Sequence, residues 1–394
     1  MSTATAIRAY RGPAVFSIGL RPFYLFSALW SAIIAPLWIH AFLGGGPIGL
    51  DWHVHEMLFG YAGGIIVGFL LTAVPNWTGR LPVVGWPLVL LFGLWVAGRA
   101  AMLTVALNAD VAAMAWPVIV DCLFLVAVAG VVWREVLAGR NWRNLPVAMI
   151  VTVLALANIG FHLGTGAGGV DNLSTRLGLS VVSLLIALIG GRVTPSFTRN
   201  WQLKRGGPLP AVAGRFDTMT LIATAAGLAA WSFAPVHPAT GVALLLAGVL
   251  NLIRLARWRG GATLAEPLVL ILHLGYLWLA SGLVLLGLSV MVPAHVLPSV
   301  GVHALTAGAI GVMTLAIMTR SSRGHTGRPL TAGKADILIY GLINAAALTR
   351  VIGGLMPAAY HPLLIVSVGL WSAAFLAFVI SYGPILLTPR LGRG

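Results

Sequence analysis

The run His53-Val54-His55-Glu56-Met57 puts two imidazoles, a carboxylate and a thioether into five consecutive positions beside an apolar stretch. Neutral imidazole is a ready ligand for copper and for haem iron. On a helix, residues i and i+2 point about 200° apart, so His53 and His55 serve different partners unless His53 precedes the helix. Glu56 follows His53 by three positions, close enough on one face to accept from its ring and orient it. A second role open to Glu56 is passing protons. The bland alternative is an interfacial anchor formed with Trp52. His162 follows Asn158 by one turn, and His273 precedes Tyr276 by one turn, so hydrogen-bond partners lie close to both. His303 sits among Gly301, Ala304, Ala307, Gly308 and Gly311, which leave room for a flat macrocycle or for another helix. For His303, a ligand and a satisfied core histidine are both open readings. His40, His237, His295 and His361 lack any supporting constellation and read as headgroup-level residues.

Arg99, Arg192 and Arg350 fall inside apolar segments, where a cation must find an anion. The chain has nine Asp and Glu, and Glu56 and Asp121 are the main candidates within the membrane. Three cations against two anions suggest an anion from outside the chain, such as haem propionates or an anionic substrate. Snorkelling of the arginines to the interface is the alternative. Cys122 is the only cysteine. An intramolecular disulfide, a cysteine zinc site, an iron–sulfur cluster and covalently attached haem are therefore excluded. No phosphate loop or dinucleotide fingerprint is present, and Gly190-Gly191 reads as packing.

The elements that must position these groups are membrane helices. Of 394 residues 59% are hydrophobic and 8% charged, with mean hydropathy +0.96. A soluble domain needs far more charge to cover its surface, so most of this chain faces lipid. With roughly 20 residues per crossing, spans are predicted at 22–43, 54–75, 84–107, 111–136, 145–165, 176–198, 216–236, 238–258, 266–290, 295–319, 334–356 and 362–387. The expectation is an all-α polytopic membrane protein, 1–394 as one transmembrane domain of about twelve helices. The net charge of +15 sits at helix ends and not along one face, which argues against nucleic acid. Arg8, Arg11 and Arg21 precede the first span, and Arg80, Arg134, Arg199, Arg254, Arg320 and Arg393 belong to every second loop or the C-terminus. Apart from Arg176, the intervening loops are nearly free of Lys and Arg, which predicts both termini in the cytoplasm and an uncleaved lead-in. That topology puts His53, His55, His162 and His303 in the outer part of the bilayer. His273 would lie about 10 Å inside the cytoplasmic end of its span. One internal similarity stands out: His55 to Thr78-Gly79-Arg80 and His303 to Thr326-Gly327-Arg328 have the same spacing, with Gly60 and Gly63 matching Gly308 and Gly311.

Arg21-Pro22-Phe23, WHVHEMLFG (52–60), LLTAVPNWTGR (70–80), RNWRNLP (140–146), IGGRVTPSFT (189–198), LNLIRLARW (250–258), ILHLGYLW (271–278), HALTAGAIG (303–311) and GHTGRPL (324–330) follow one another in consistent order. In these the chain resembles the NnrS family of bacterial membrane proteins; Thr194 departs from the aliphatic residue expected there. The resemblance implies a twelve-helix inner-membrane protein that binds haem b without covalent attachment, with copper as a second metal, and acts in the cell's handling of nitric oxide. It places His53, His55, His162, His273, His303 and His325 at the family's characteristic positions.

The functional expectation is a haem-dependent redox protein that binds and reduces nitric oxide, with quinol or a small carrier as electron donor. Its metal ligands are expected among His53, His55, His162 and His303. Glu56 is expected to handle protons, His273 to serve a separate haem or quinol site, and Arg99, Arg192 and Arg350 to meet the cofactor's anions. The alternatives are a twelve-helix secondary transporter for an anion or metal complex, and a scaffold with structural histidines.

Overall fold

The computed structural model of the protein describes residues 10–79, 82–164 and 169–391; Arg8, Arg80 and Arg393 of the charge pattern lie outside them. Twelve long helices follow one another among the described residues. They are α1 (Leu20–Gly44), α2 (Leu50–His55, Glu56–Ala62 and Gly63–Thr78), α3 (Trp86–Leu107), α4 (Trp116–Ala138), α5 (Leu145–Leu163) and α6 (Leu173–Leu203). The second six are α7 (Arg215–Phe233), α8 (Pro238–Ala256), α9 (Pro267–Met291), α10 (Pro298–His325), α11 (Lys334–Leu355) and α12 (Tyr360–Leu387). Eleven are long and apolar enough to cross a membrane. The twelfth, α7, is more polar because Arg215, Asp217 and the threonines at 218, 220 and 224 lie in it. The protein is thus a multi-pass, all-α membrane protein.

Contacts group the chain into two compact units. The first holds Met1–Val181, Ser321–Arg328 and Phe378–Gly394; the second holds Val182–Arg320 and Pro329–Ala377. In the first, Phe23 of α1 meets Phe92 of α3 edge-on and stacks on Phe124 of α4, each at 5.7 Å. The buried Arg21 guanidinium closes this unit by donating to the Leu386 and Thr388 carbonyls at 2.8 and 2.6 Å. In the second unit α7, α8 and α9 approach through glycines. A Cβ on Gly227 would meet the Ala243 backbone at 3.2 Å, and one on Gly248 the Ala280 carbonyl at 3.0 Å. Small residues permit such backbone approach where lipid offers no hydrophobic drive.

Three helices are interrupted by wider π turns: α2 at Glu56–Ala62, α6 at Ile186–Gly190 and α10 at Ala304–Ile310. Such turns free carbonyls and often mark functional sites. The turns in α2 and α10 each begin immediately after the histidine, His55 or His303. The correspondence extends further at one displacement of 248 residues, from Glu56 to Ala304, Gly63 to Gly311, Trp86 to Lys334 and Leu107 to Leu355. The shared Thr-Gly pair has a physical basis, because Gly79 and Gly327 adopt left-handed φ of 70° and 79° just past the helix end, a conformation glycine takes without strain. At about this displacement the bounds of α1 and α4 also fall close to those of α9 and α12.

The polar helix α7 is held by buried polar partners. Asp217 Oδ1 accepts from Arg254 Nε at 2.9 Å. Arg254 Nη1 also donates to the Ala187 carbonyl at the π turn of α6 and to the Tyr276 hydroxyl. The Tyr276 hydroxyl donates to Asn251 Oδ1 at 2.6 Å, and the Asn251 amide donates to Thr224. Breaking one partner of a buried pair leaves the other charge uncompensated, at a cost of about 3–5 kcal/mol. Asp217→Ala is expected to lower the thermal unfolding midpoint in detergent far more than Asp110→Ala, made at an exposed position.

Candidate metal centre

Five helices of the first unit bring their polar side chains to one buried place. The opening segment of α2 ends on His55, and the π turn that follows carries Glu56; α3 brings Arg99, α4 Asp121, and α5 both Asn158 and His162. Glu56 is fully buried and Asp121 1% exposed. Arg99 sits between the two carboxylates, with Nη1 2.6 Å from Glu56 Oε1 and Nη2 hydrogen-bonded to Asp121 Oδ1. The remaining Glu56 oxygen accepts from Trp30 Nε1 of α1 at 2.6 Å. Gly60 makes this approach possible, because a Cβ there would collide with Arg99 Nη1 and lie 2.9 Å from Glu56 Oε2. The Gly60 carbonyl in turn accepts from Trp95 Nε1 at 2.9 Å.

The imidazoles complete the centre. His55 Nδ1 lies 2.9 Å from Glu56 Oε1, and its Nε2 lies 3.0 Å from both Asp121 Oδ2 and Asn158 Oδ1. The Asn158 amide donates to Asp121 Oδ2 at 2.8 Å, so its oxygen is the atom turned to His55. His162 Nε2 reaches the same Asp121 oxygen at 3.0 Å. A neutral His55 has one proton to give. When Glu56 holds that proton at Nδ1, the Nε2 lone pair faces two oxygen acceptors, and only a cation between them relieves the repulsion. A proton can do this, and so can a metal ion bound by His55, His162 and Asp121. Those three residues offer ligand atoms that all lie within 4.8 Å of one another.

Of the sequence-predicted site residues, the structure gathers His55, Glu56, Arg99 and His162 here. His53 goes elsewhere: it lies inside the helix, two positions from His55, and its ring stacks on Trp38 at 4.2 Å. Glu56 accordingly orients His55, its neighbour in sequence, and not His53. Arg99 finds its anions within the chain, in Glu56 and Asp121. Asp121 and Trp30 are the members that spacing alone did not assign to the site; Asp121 was legible only as an acidic residue in a span. His303, His273, Arg192 and Arg350 belong to the second unit. His303 is half-buried and its Nδ1 donates to the Ser299 carbonyl at 2.6 Å, which leaves Nε2 as the acceptor nitrogen. The small residues near it are taken up by helix packing: Gly301 abuts Leu286 and Gly308 abuts the Trp278 ring. Arg350 is buried, 3.4 Å from the Tyr360 hydroxyl, and no carboxylate among the described residues lies within ion-pair reach of it. Arg192 is exposed on α6. At the 248-residue displacement, Glu56, Arg99 and Asp121 correspond to Ala304, Ala347 and Gly369, so the charged set occurs in the first copy only.

Fold and site together define a polytopic helical membrane protein with an imidazole- and carboxylate-bearing centre sealed among its helices. The chain belongs to the NnrS family, whose profile, described as NnrS protein, matches residues 14–390. No curated protein matches it.

Removing Arg99 leaves two buried carboxylates facing each other across the centre. Arg99→Ala is expected to destabilise the protein by about 3–5 kcal/mol, read as a fall in unfolding midpoint. Glu56→Gln combined with Arg99→Ala should recover part of that loss, since one of the stranded charges is then gone.

Proposed function

We propose that the protein is a metalloprotein of the bacterial inner membrane, with both termini cytoplasmic, that binds nitric oxide and reduces it. The observation that supports this most is the encounter of His55 Nε2 with the Asp121 and Asn158 oxygens at 3.0 Å, beside His162. Two imidazoles and a carboxylate suit copper, the metal expected for the family, and also non-haem iron. When bound there, the metal supplies an open coordination position for the gas and a change of redox state. Glu56 keeps the Nδ1 proton on His55 and so presents Nε2 as a lone pair, the usual outer-sphere arrangement for a metal-binding histidine. Asn158 fixes the Asp121 carboxylate by donating to it, and Arg99 balances the two carboxylates in a medium that tolerates no unpaired charge. Conversion of two nitric oxide molecules to nitrous oxide and water takes two electrons and two protons. Quinol or a small carrier is the electron source in this reading, and Glu56 is the group through which protons pass.

Haem b is the second cofactor of the proposal. His303 suits it as an axial ligand, since the Ser299 carbonyl holds the Nδ1 proton, and Arg350 on α11 suits a propionate. The glycine face of α10 does not suit a macrocycle, because Leu286 and Trp278 fill it; haem would approach His303 from its half-exposed side. A transporter is the competing reading, favoured by the interrupted helices α2 and α10, since broken spans with buried charge also build carrier sites.

Metal analysis and absorption spectra of protein purified after haem- and copper-replete expression separate the two. The expectation is a Soret band that shifts with nitric oxide, plus a second metal. His303→Ala should lose the band and keep the metal; His55→Ala should lose the metal and keep the band. A colourless, metal-free protein would leave the transporter.

A further inference from the structure

Three arginines and a histidine from three elements meet at one end of the first unit. Arg21 lies in the first turn of α1, His325 and Arg328 close α10, and Arg390 follows α12. The segment after α12 ties them together. Leu391 donates its N–H to the Thr326 carbonyl at 3.1 Å, and the Leu386 and Thr388 carbonyls accept from Arg21 Nη1. A Cβ on Gly327 would stand 2.9 Å from the Leu391 carbonyl and 3.6 Å from Arg390 Nε. Arg390 therefore lies against the turn that ends α10, within electrostatic range of His325, as Arg328 is of Arg21.

Among the described residues no carboxylate lies within ion-pair reach of Arg21, Arg328 or Arg390. The guanidiniums are not needed as helix caps either. The last carbonyls of α10 are taken by the backbone: Ser322 by the Thr326 N–H, Arg323 by the Arg328 N–H and Thr326 by the Leu391 N–H. Arg323 donates to the Tyr382 hydroxyl at 2.9 Å. Arg328, in contrast, has its Nη1 shut off from solvent without an acceptor, although the side chain as a whole is only half-buried. Like charges gathered where water screens them poorly repel one another, so the cluster is short of an anion.

We propose that this cluster binds the phosphate headgroup of an anionic phospholipid. Helices α10 and α12 end here, at His325 and Leu387, which sets the cluster at the level of the headgroups. Basic pockets between membrane helices recognise such headgroups, through charge-assisted hydrogen bonds. Arg390 is exposed and His325 and Arg328 are half-buried, so their N–H donors are open to a ligand at the surface. Leu387 and Leu391, each 52% exposed, add apolar surface on the same segment for an acyl chain. A soluble anion lacks that second contact. The site shares no residue with the His55 centre and stands whether or not a metal binds there.

The test is a lipid titration of the full-length, delipidated protein in detergent, with bound lipid read by native mass spectrometry and the unfolding midpoint followed in parallel. Phosphatidylglycerol should bind about tenfold more tightly than phosphatidylcholine, the worth of one charge-assisted hydrogen bond, and should raise the midpoint. Arg328→Gln and Arg390→Gln should each weaken that preference and together abolish it. Arg328→Gln should leave the lipid-free midpoint unchanged or higher, because it removes a cation from a repelling set. Arg143→Gln, at an exposed position between α4 and α5, should change nothing. Equal affinity for the two lipids, a preference that survives the double substitution, one that falls as far in Arg143→Gln, or a lower lipid-free midpoint in Arg328→Gln would overturn the assignment. A midpoint shift reproduced by inorganic phosphate at the same concentration would overturn it too, in favour of a soluble anion.

Discussion

One guanidinium inside the membrane holds the first unit's centre in place. Arg99 cannot be solvated there, so it requires anions, and it takes Glu56 from α2 and Asp121 from α4. Each carboxylate then has acceptor capacity left over, which Trp30, Asn158 and the imidazoles fill. Five helices are thereby fixed in rotation as well as position, because each must turn at least one polar side chain to the same point. A helix in lipid gains little from burying apolar surface, so such polar contacts carry more of the specification than they would in water. Two carboxylates against one arginine also leave the centre short of positive charge. That deficit is the physical reason it suits a proton or a metal ion beside His55.

The π turn in α2 serves this arrangement. It shifts the register of the helix immediately after His55, so that Glu56 and Gly60 both face Arg99, and it frees the Gly60 carbonyl for Trp95. The matching turn in α10 survives in the second copy of the four-helix set, along with His303, although Ala304, Ala347 and Gly369 stand where the charges would be. The backbone feature and the histidine thus persist without the electrostatic cage. Trp30 and Trp278 also correspond, and each donates its indole N–H to a polar side chain of its own unit, Glu56 or Asn344. The two four-helix sets share their element bounds and differ in their charged side chains.

Much of this was legible in the sequence. Apolar runs of membrane length located the helices, and the repeated spacing from histidine to Thr-Gly picked out the two helices that proved to share a π turn and a left-handed cap. His55, Glu56, His162 and Arg99 were all marked as groups that needed partners. The pairing was not legible, because it depends on which helices are neighbours. Arg99 looked like one of three cations in search of an external anion, when Asp121 lay on the adjacent helix, 22 positions on in the chain. His53 was expected among the metal ligands together with His55, but the helix begins early enough to turn it away from His55 and onto Trp38. Asp217, which its spacing did not single out, and Arg254, read as a loop residue, are buried partners in the second unit, since α7 starts at Arg215 and tolerates polar residues that its neighbours satisfy. The limits of α2, α6 and α10 were missed for a similar reason. Interrupted helices run longer than a bilayer requires, up to the 31 residues of α6.

The central claim is that a metal ion closes the gap between His55 and Asp121, and X-ray absorption at the metal edge of the purified, metal-replete protein tests it most directly. Scattering from two imidazoles and additional oxygen is expected at about 2.0–2.2 Å, typical of N/O-ligated transition metals. His162→Ala should remove one imidazole from that shell while His53→Ala changes nothing. A metal whose shell is indifferent to His162, or protein that holds no metal with His55 and Asp121 both in place, would contradict it.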